Sequence, residues 1–183
     1  IPRRVDAGWS NMVALDIDGS MFYWGQSILD TLHGTFDSIP PLKQVMVTYN
    51  NYSGSDFDQI VFGLDTNNSL HVYDFTPPTT LYNENAQSAS YKAIPIEITD
   101  TPIIKMDRHM GVISALTVNG TLALWGSKYM VSDPQNTTFS ELFFEVEDYF
   151  IHHWFAIIKY LDGSIDYVKI REEAVYTAHF ISY

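Results

Sequence analysis

Apolar and polar residues alternate along this chain in short runs, and the runs return with the same punctuation. A small-large apolar pair is followed by a hairpin turn and then by an aromatic-rich strand. The first copy is Ala14-Leu15, Asp18-Gly19, Phe22-Tyr23-Trp24-Gly25. It returns as Gly63-Leu64, Asn67-Asn68, His71-Val72-Tyr73-Asp74 and as Ala115-Leu116, Asn119-Gly120, Ala123-Leu124-Trp125-Gly126. A weaker copy runs Ala156-Ile157, Asp162-Gly163, Asp166-Tyr167-Val168. The turn residues Asp18, Asn67, Asn119 and Asp162 stand 49, 52 and 43 positions apart. Self-similarity at this period marks repeated supersecondary units, which bury their faces only by stacking on one another.

Within the first copy, Val5 to Ala7 reads as a short strand. Asn11 to Ile17 alternates, so that Val13, Leu15 and Ile17 are expected to share one face. Asp18-Gly19 then predicts a two-residue turn of the primed type, and Met21 to Trp24 returns as the partner strand. The third copy repeats this with Met106, Val112 to Val118, Asn119-Gly120 and Leu122 to Trp125. The second carries an insertion, Tyr49 to Asp58, and the fourth is expected to have a hairpin about two residues longer. Prolines at 40, 41, 77, 78, 95, 102 and 134 punctuate the polar stretches between copies, as at edges and loops. Pro40-Leu42-Val45 and Ile94-Pro95-Ile96 look alike and predict equivalent strand openings. No helical stripe exceeds two turns.

The expected fold is all-β: a β-propeller of about four repeats, each a four-stranded antiparallel blade, in a single domain with repeats at 1–39, 40–93, 94–140 and 141–183. The segment 174–183 resembles the opening strands of a further blade. Either it closes a small four-bladed ring on the first repeat, or the chain is part of a larger ring. The second is favoured, because open repeat arrays need capping. The first residues lack an initiator Met and a signal or transit pattern, which suggests a processed or excised start.

Composition narrows the function more than the fold. The 12 Tyr, 11 Phe and 4 Trp suit pleated, half-buried surfaces. A net charge of −12, with only 10 basic residues, repels polyanions and argues against nucleic acid or an anionic membrane as partner. No apolar run approaches the roughly 18 residues of a membrane span. Cysteine is absent, which removes disulfides, thiolate metal sites and a Cys nucleophile. Sequons stand at Asn51, Asn67, Asn119 and Asn136; the two in predicted turns are explained by the tolerance of Asn for positive φ.

The stretch from Ala7-Gly8-Trp9-Ser10-Asn11-Met12-Val13-Ala14-Leu15 through Asp18-Gly19 to Phe22-Tyr23-Trp24-Gly25 resembles the repeat of the regulator of chromosome condensation family. In that repeat an Ala-Gly start leads through a small-apolar strand to Asp-Gly and an aromatic strand closing in Trp-Gly. The first and third copies carry the resemblance, and the second and fourth follow it in outline. It implies a β-propeller, seven-bladed in the family as a rule, and a protein-binding role of either nucleotide-exchange or scaffold type. The chain departs from the pattern in two places. The Gly-rich loop after Trp-Gly is replaced by Gln26-Ser27-Ile28-Leu29 and Ser127-Lys128-Tyr129-Met130, and the pattern His stands only at His153. Four acidic repeats lack the ring size and basic surface of the exchange factor.

Candidate chemistry is sparse. Asp16-Ile17-Asp18-Gly19 matches half a calcium loop but lacks the later oxygens and the closing Glu, and a hairpin turn accounts for it. His152 and His153 lie near Glu145, Glu147 and Asp148, yet adjacent strand residues point to opposite faces. The chain contains no nucleophile elbow, phosphate loop or His-Glu-x-x-His. No cofactor, metal or catalytic residue is therefore assigned, and the chain is read as a non-enzyme.

Phe22, Trp24, Tyr73 and Trp125 recur in phase and are expected in the blade core. The aromatics in or beside loops are the binding candidates: Trp9, Tyr49, Tyr52, Tyr82, Tyr91 and Tyr129, joined by Asn50 and Asp56 of the insertion. The insertion's Tyr, Asn, Ser and Gly composition suits an adaptable recognition loop. The resulting expectation is an interaction module showing rim loops to a protein partner, in a larger assembly or a homo-oligomer. The alternative is a carbohydrate- or host-surface-binding module of a secreted or virion protein. An extracellular or virion setting is favoured over the cytoplasm. A hydrolase with a carboxylate pair in the channel ranks below both.

Overall fold

The computed structural model describes residues 4–8, 11–26, 31–35, 39–47, 60–74, 94–109, 112–127, 138–152, 155–170 and 178–180. Fifteen strands and one four-residue helix form there, and every strand pair is antiparallel. Sheet one is the meander β1 (Arg4–Ala7), β2 (Asn11–Leu15), β3 (Met21–Gln26) and β4 (Thr31–Thr35). Sheet two is β5 (Leu42–Val47), β6 (Ile60–Asp65) and β7 (Leu70–Asp74). Sheet three is β8 (Ile103–His109), β9 (Val112–Thr117), β10 (Leu122–Ser127) and β11 (Thr138–Phe143). Sheet four is β12 (Val146–Ile151), β13 (Phe155–Tyr160), β14 (Ile165–Lys169) and β15 (Ala178–Phe180). Each is the up-and-down meander of a propeller blade. Among the described residues no helix is long and apolar enough to cross a membrane.

The chain divides into two compact units, Ile1–Ala89 and Ser90–Tyr183. In the first, Val13, Leu15, Met21 and Tyr23 of sheet one pack on Leu42, Val45, Val47 and Val61 of sheet two. In the second, Leu116, Leu122 and Leu124 of sheet three pack on Tyr149, Ile151, Ala156 and Ile158 of sheet four. Both junctions are buried apolar layers, worth about 1.5–3 kcal/mol for each large side chain removed from water.

Four hairpins share one frame, which the repeated sequence requires. Asp16 N bonds Ser20 O, and Gly19 N bonds Asp16 O. The same pair of bonds closes Asp65–Ser69, Thr117–Thr121 and Tyr160–Ser164. Positive φ falls on the third loop residue each time: Gly19 (83°), Asn68 (68°), Gly120 (78°) and Gly163 (86°). The loop is thus a three-residue turn ending in a left-handed residue, a bulged hairpin instead of the expected primed turn. Asp18, Asn67 and Asn119 keep negative φ, so tolerance of positive φ does not explain the two turn Asn residues. In the first two hairpins the residue that opens the loop decides the matter. The Asp16 carboxylate accepts the N–H groups of Asp18 (3.0 Å) and Ser20 (2.8 Å), and Asp65 does the same for Asn67 and Ser69 (2.8 and 2.9 Å). Such Asp-backbone bonds stabilise a turn that starts one residue earlier than Asp-Gly alone suggests.

Other expectations are also corrected. The fourth hairpin is no longer than the rest: Lys159 faces Ile165 as Leu15 faces Met21. Ile17 occupies the turn and is 75% exposed, off the Val13-Leu15 face. Ile94-Pro95-Ile96 does not open a strand, since Ile96–Thr99 forms the short helix α1 and the strand begins at Ile103. Among the aromatics expected in the core, Trp125 is fully buried, Phe22 and Tyr73 are half-buried, and Trp24 is 43% exposed. Tyr23 takes the inward place in sheet one, because Met21 and Tyr23 share the phase that faces sheet two.

A register shift recurs near the start of the first strand of three sheets, between Leu42 and Gln44, Ile103 and Lys105, and Val146 and Asp148. A β-bulge at one repeat position bends the start of each of these strands. Pro41 stands just before β5 and Pro102 just before β8, where no ladder donor is needed.

Candidate interaction surface

Each hairpin tip described at a junction is fastened to the sheet that follows. Leu42 N donates to Gly19 O at 2.9 Å, and Val146 N donates to Gly120 O at 2.9 Å. The approach needs glycine. A Cβ on Gly19 would stand 2.7 Å from Leu42 O, and one on Gly120 would stand 3.2 Å from Val146 O. Asp6 adds a second tie in the first unit, its Oδ2 accepting Val47 N at 2.7 Å. In the second unit Lys105 reaches from β8 to Asp148 Oδ1 at 2.6 Å, with its ammonium 4.4 Å from the centre of the Tyr149 ring. Lys105 thereby holds the Asp148 carboxyl below the usual range.

The titratable groups near the turns are engaged in structure. Burial pushes the Asp65 carboxyl up, but hydrogen bonds from His71, Ser69 and Asn67 outweigh it and leave the group lowered. The Tyr149 hydroxyl lies buried 3.0 Å from Ser114 Oγ, and desolvation raises its phenol. Burial, with a bond to Asp166 at 3.0 Å, pushes the Tyr160 phenol up to about 12. Among the described residues no group of three or more His, Cys, Asp and Glu is arranged to hold a metal. His152 is exposed, with its ring 5.2 Å from that of His109. His153 lies outside the described residues.

The binding residues expected from sequence, Trp9, Tyr49, Asn50, Tyr52, Asp56, Tyr82, Tyr91 and Tyr129, all lie outside the described residues. What sequence reasoning missed is on the sheets themselves. Sheet one leaves Val5 (56%), Met12 (44%) and Trp24 (43%) exposed, with Phe22 stacked on Trp24 at 6.2 Å. Sheet four leaves Phe150 (56%) and Ile157 (38%) exposed, beside Phe155, which stacks on Tyr167 at 5.0 Å. The signal was the strand phase: Met12 and Trp24 alternate with the inward Val13 and Tyr23 and so belong to the opposite face.

No family model matches the sequence, and no curated protein matches it. Solved structures do. Human WBSCR16 is similar over 90% of this chain, with a TM-score of 0.54 and 14% identity. Yeast RCC1 (Prp20), in its complex with Kap60, is similar over 89%, with a TM-score of 0.55 and 14% identity. A further structure of Prp20p from Saccharomyces cerevisiae gives a TM-score of 0.50 over 91% at 14% identity. This chain has the fold of an RCC1-like β-propeller. It spans less than half the length of these proteins, covering 46%, 42% and 43% of them respectively.

Proposed function

We propose that this chain is a non-catalytic propeller module that displays loops to a protein partner with a basic contact surface. The observation that carries the reading is an RCC1-like frame with acidic hairpin tips. Asp18, Glu145 and Asp162 are exposed at or beside turns, in a chain of net charge −12. Turn tips fastened to the following sheet lose little entropy on binding, so modest contacts suffice for affinity. An acidic field speeds encounter with a basic surface and disfavours acidic competitors. Yeast RCC1 (Prp20) was solved bound to Kap60, and the Prp20p study describes binding to Gsp1p and histones. Those are properties of those proteins; they support protein recognition as the class of role. The loop residues Tyr49, Asn50, Tyr52 and Asp56 are the proposed anchors, with Trp9, Tyr82, Tyr91 and Tyr129 beside them.

The test is binding of purified core histones, as a basic protein probe, to the immobilised chain, with an acidic protein as control. Saturable binding is expected, weakening as salt rises. Replacing Tyr49, Tyr52 and Tyr82 together by Ala should weaken it at least tenfold without moving the melting temperature. Indifference to those replacements would sink the loop assignment, and equal binding of both proteins would sink the electrostatic one.

A further inference from the structure

The position after the residue that opens each hairpin loop holds Ile17, Thr66, Val118 and Leu161. Turns favour Gly, Pro, Asn, Asp and Ser, each for a hydrogen bond or a backbone angle. Three of the four residues here are branched apolar ones instead, and the position does not bury them. Ile17 is 75%, Val118 58% and Leu161 65% exposed. This is not the exposure of an uncovered sheet. Gly19 and Gly120, two residues on, are already bonded to the sheet that follows, yet Ile17 and Val118 stay in solvent.

In the second unit two of these tips are joined along one rim. Phe144 and Glu145 form the whole link between β11 and β12. On one side of the link Val146 N donates to Gly120 O at 2.9 Å, and on the other Leu161 N donates to Glu145 O at 2.7 Å. Glu145 holds the link in a turn at φ 58°. Val118, Phe144 (60% exposed) and Leu161 each lie within two residues of one of these bonds, so backbone contacts fix all three on the same stretch of rim. Acidic groups border it. Glu145 and Asp162 are the chain neighbours of Phe144 and Leu161, and Asp100 stands two residues before Pro102, whose carbonyl accepts Val118 N at 2.9 Å. All three are exposed. The lysines of the adjoining strands are engaged elsewhere, Lys105 with Asp148 at 2.6 Å and Lys159 with Glu147 at 2.8 Å.

We infer that the Val118–Phe144–Leu161 rim is a docking site for a protein segment that carries apolar side chains between Lys or Arg residues. The apolar residues supply a contact that is favourable once water leaves it. The acidic border decides which segment enters. A wholly apolar segment would cover the carboxylates of Glu145 and Asp162 without pairing them, which costs free energy. An acidic segment would meet the field of a chain of net charge −12. The inference rests on the reading of a basic protein partner, but it places the contact on hairpin tips and not on the loop tyrosines.

The experiment is fluorescence anisotropy of three labelled peptides of equal length titrated with the 183-residue chain. One sets Leu and Phe between Arg residues, the second has Ser in place of Leu and Phe, and the third has Glu in place of Arg. The first is expected to bind saturably, and the other two about tenfold more weakly or worse. Val118→Thr, Phe144→Gln and Leu161→Gln together should weaken the first peptide about tenfold at an unchanged melting temperature, because all three side chains are exposed. The variant with Ala at Tyr49, Tyr52 and Tyr82 should bind that peptide as the wild type does. Equal binding of the first two peptides, or of the first and third, overturns the inference. So does full binding of the first peptide by the rim variant. A peptide lost from the loop variant and kept by the rim variant overturns it too, and leaves the loop reading standing. Should the triple rim variant fail to fold, Phe144→Gln and Leu161→Gln are measured singly under the same criteria.

Discussion

Gly19 and Gly120 occupy equivalent left-handed positions, yet a methyl group would meet different surroundings at each. At Gly19 it would strike Leu42 O at 2.7 Å and Leu42 N at 2.9 Å, both backbone atoms that cannot rotate away. At Gly120 the nearest atom is 3.2 Å away. Gly19→Ala is expected to destabilise by about 2–4 kcal/mol, combining left-handed strain with a displaced junction. Gly120→Ala should cost about 1–2 kcal/mol, mostly strain. Urea denaturation of the two variants checks the order. Trp24 and Trp125 make a second matched pair. Trp125→Ala empties a fully buried site and should cost about 3–5 kcal/mol. Trp24→Ala should cost less than about half of that, since the ring is 43% exposed. Equal losses would show that the sheet-one face is covered within the monomer.

Among the hairpins, β6–β7 stands apart because Asn68 occupies the positive-φ place that glycine fills in the other three. Asn68→Gly is expected to stabilise by up to about 0.5–1 kcal/mol, seen as a higher melting temperature. A lower one would mean that the Asn side chain is needed there. Between β8 and β12 the Lys105–Asp148 pair supplies a pH signature. Asp148 has a lowered carboxyl pKa in the folded state, so its contribution is present above the unfolded value near 3.8 and is lost as pH falls through the lower folded value. Lys105→Met should be the less stable protein at neutral pH by about 1 kcal/mol or less, as an exposed pair warrants. The gap in melting temperature should then close as the solution is acidified below pH 4. The central hairpin strands of the copies were legible in sequence, because apolar alternation and turn residues are local signals, whereas the strand opening expected at Ile94-Pro95-Ile96 was not there. The turn type was not legible, because Asp16 and Asp65 form the turns through side-chain bonds that an Asp-Gly or Asn-Asn pair does not reveal. The β-bulges were equally hidden, since Lys43, Ile104 and Glu147 carry no common residue type.

For the molecule as a whole, the repeat and the RCC1-like resemblance in its phrases pointed to the propeller fold that the solved structures share. The interaction residues proposed from sequence were loop aromatics, chosen because loops carry recognition. The surfaces that the structure brings forward are instead exposed sheet faces and a hairpin rim. No composition rule marks them, because Phe22, Trp24, Val118 and Leu161 look like core by residue type alone. Local physics accounts for what could be deduced from the chain. Alternation sets the strand phase, Asp, Asn and Gly place the turns, and the charge imbalance sets the sign of the outer field. Which faces are covered is a different kind of fact. Trp24 and Trp125 share a repeat position and a strand phase, yet one is 43% exposed and the other is fully buried. Burial depends on partners distant along the chain, and those are assigned when the chain folds.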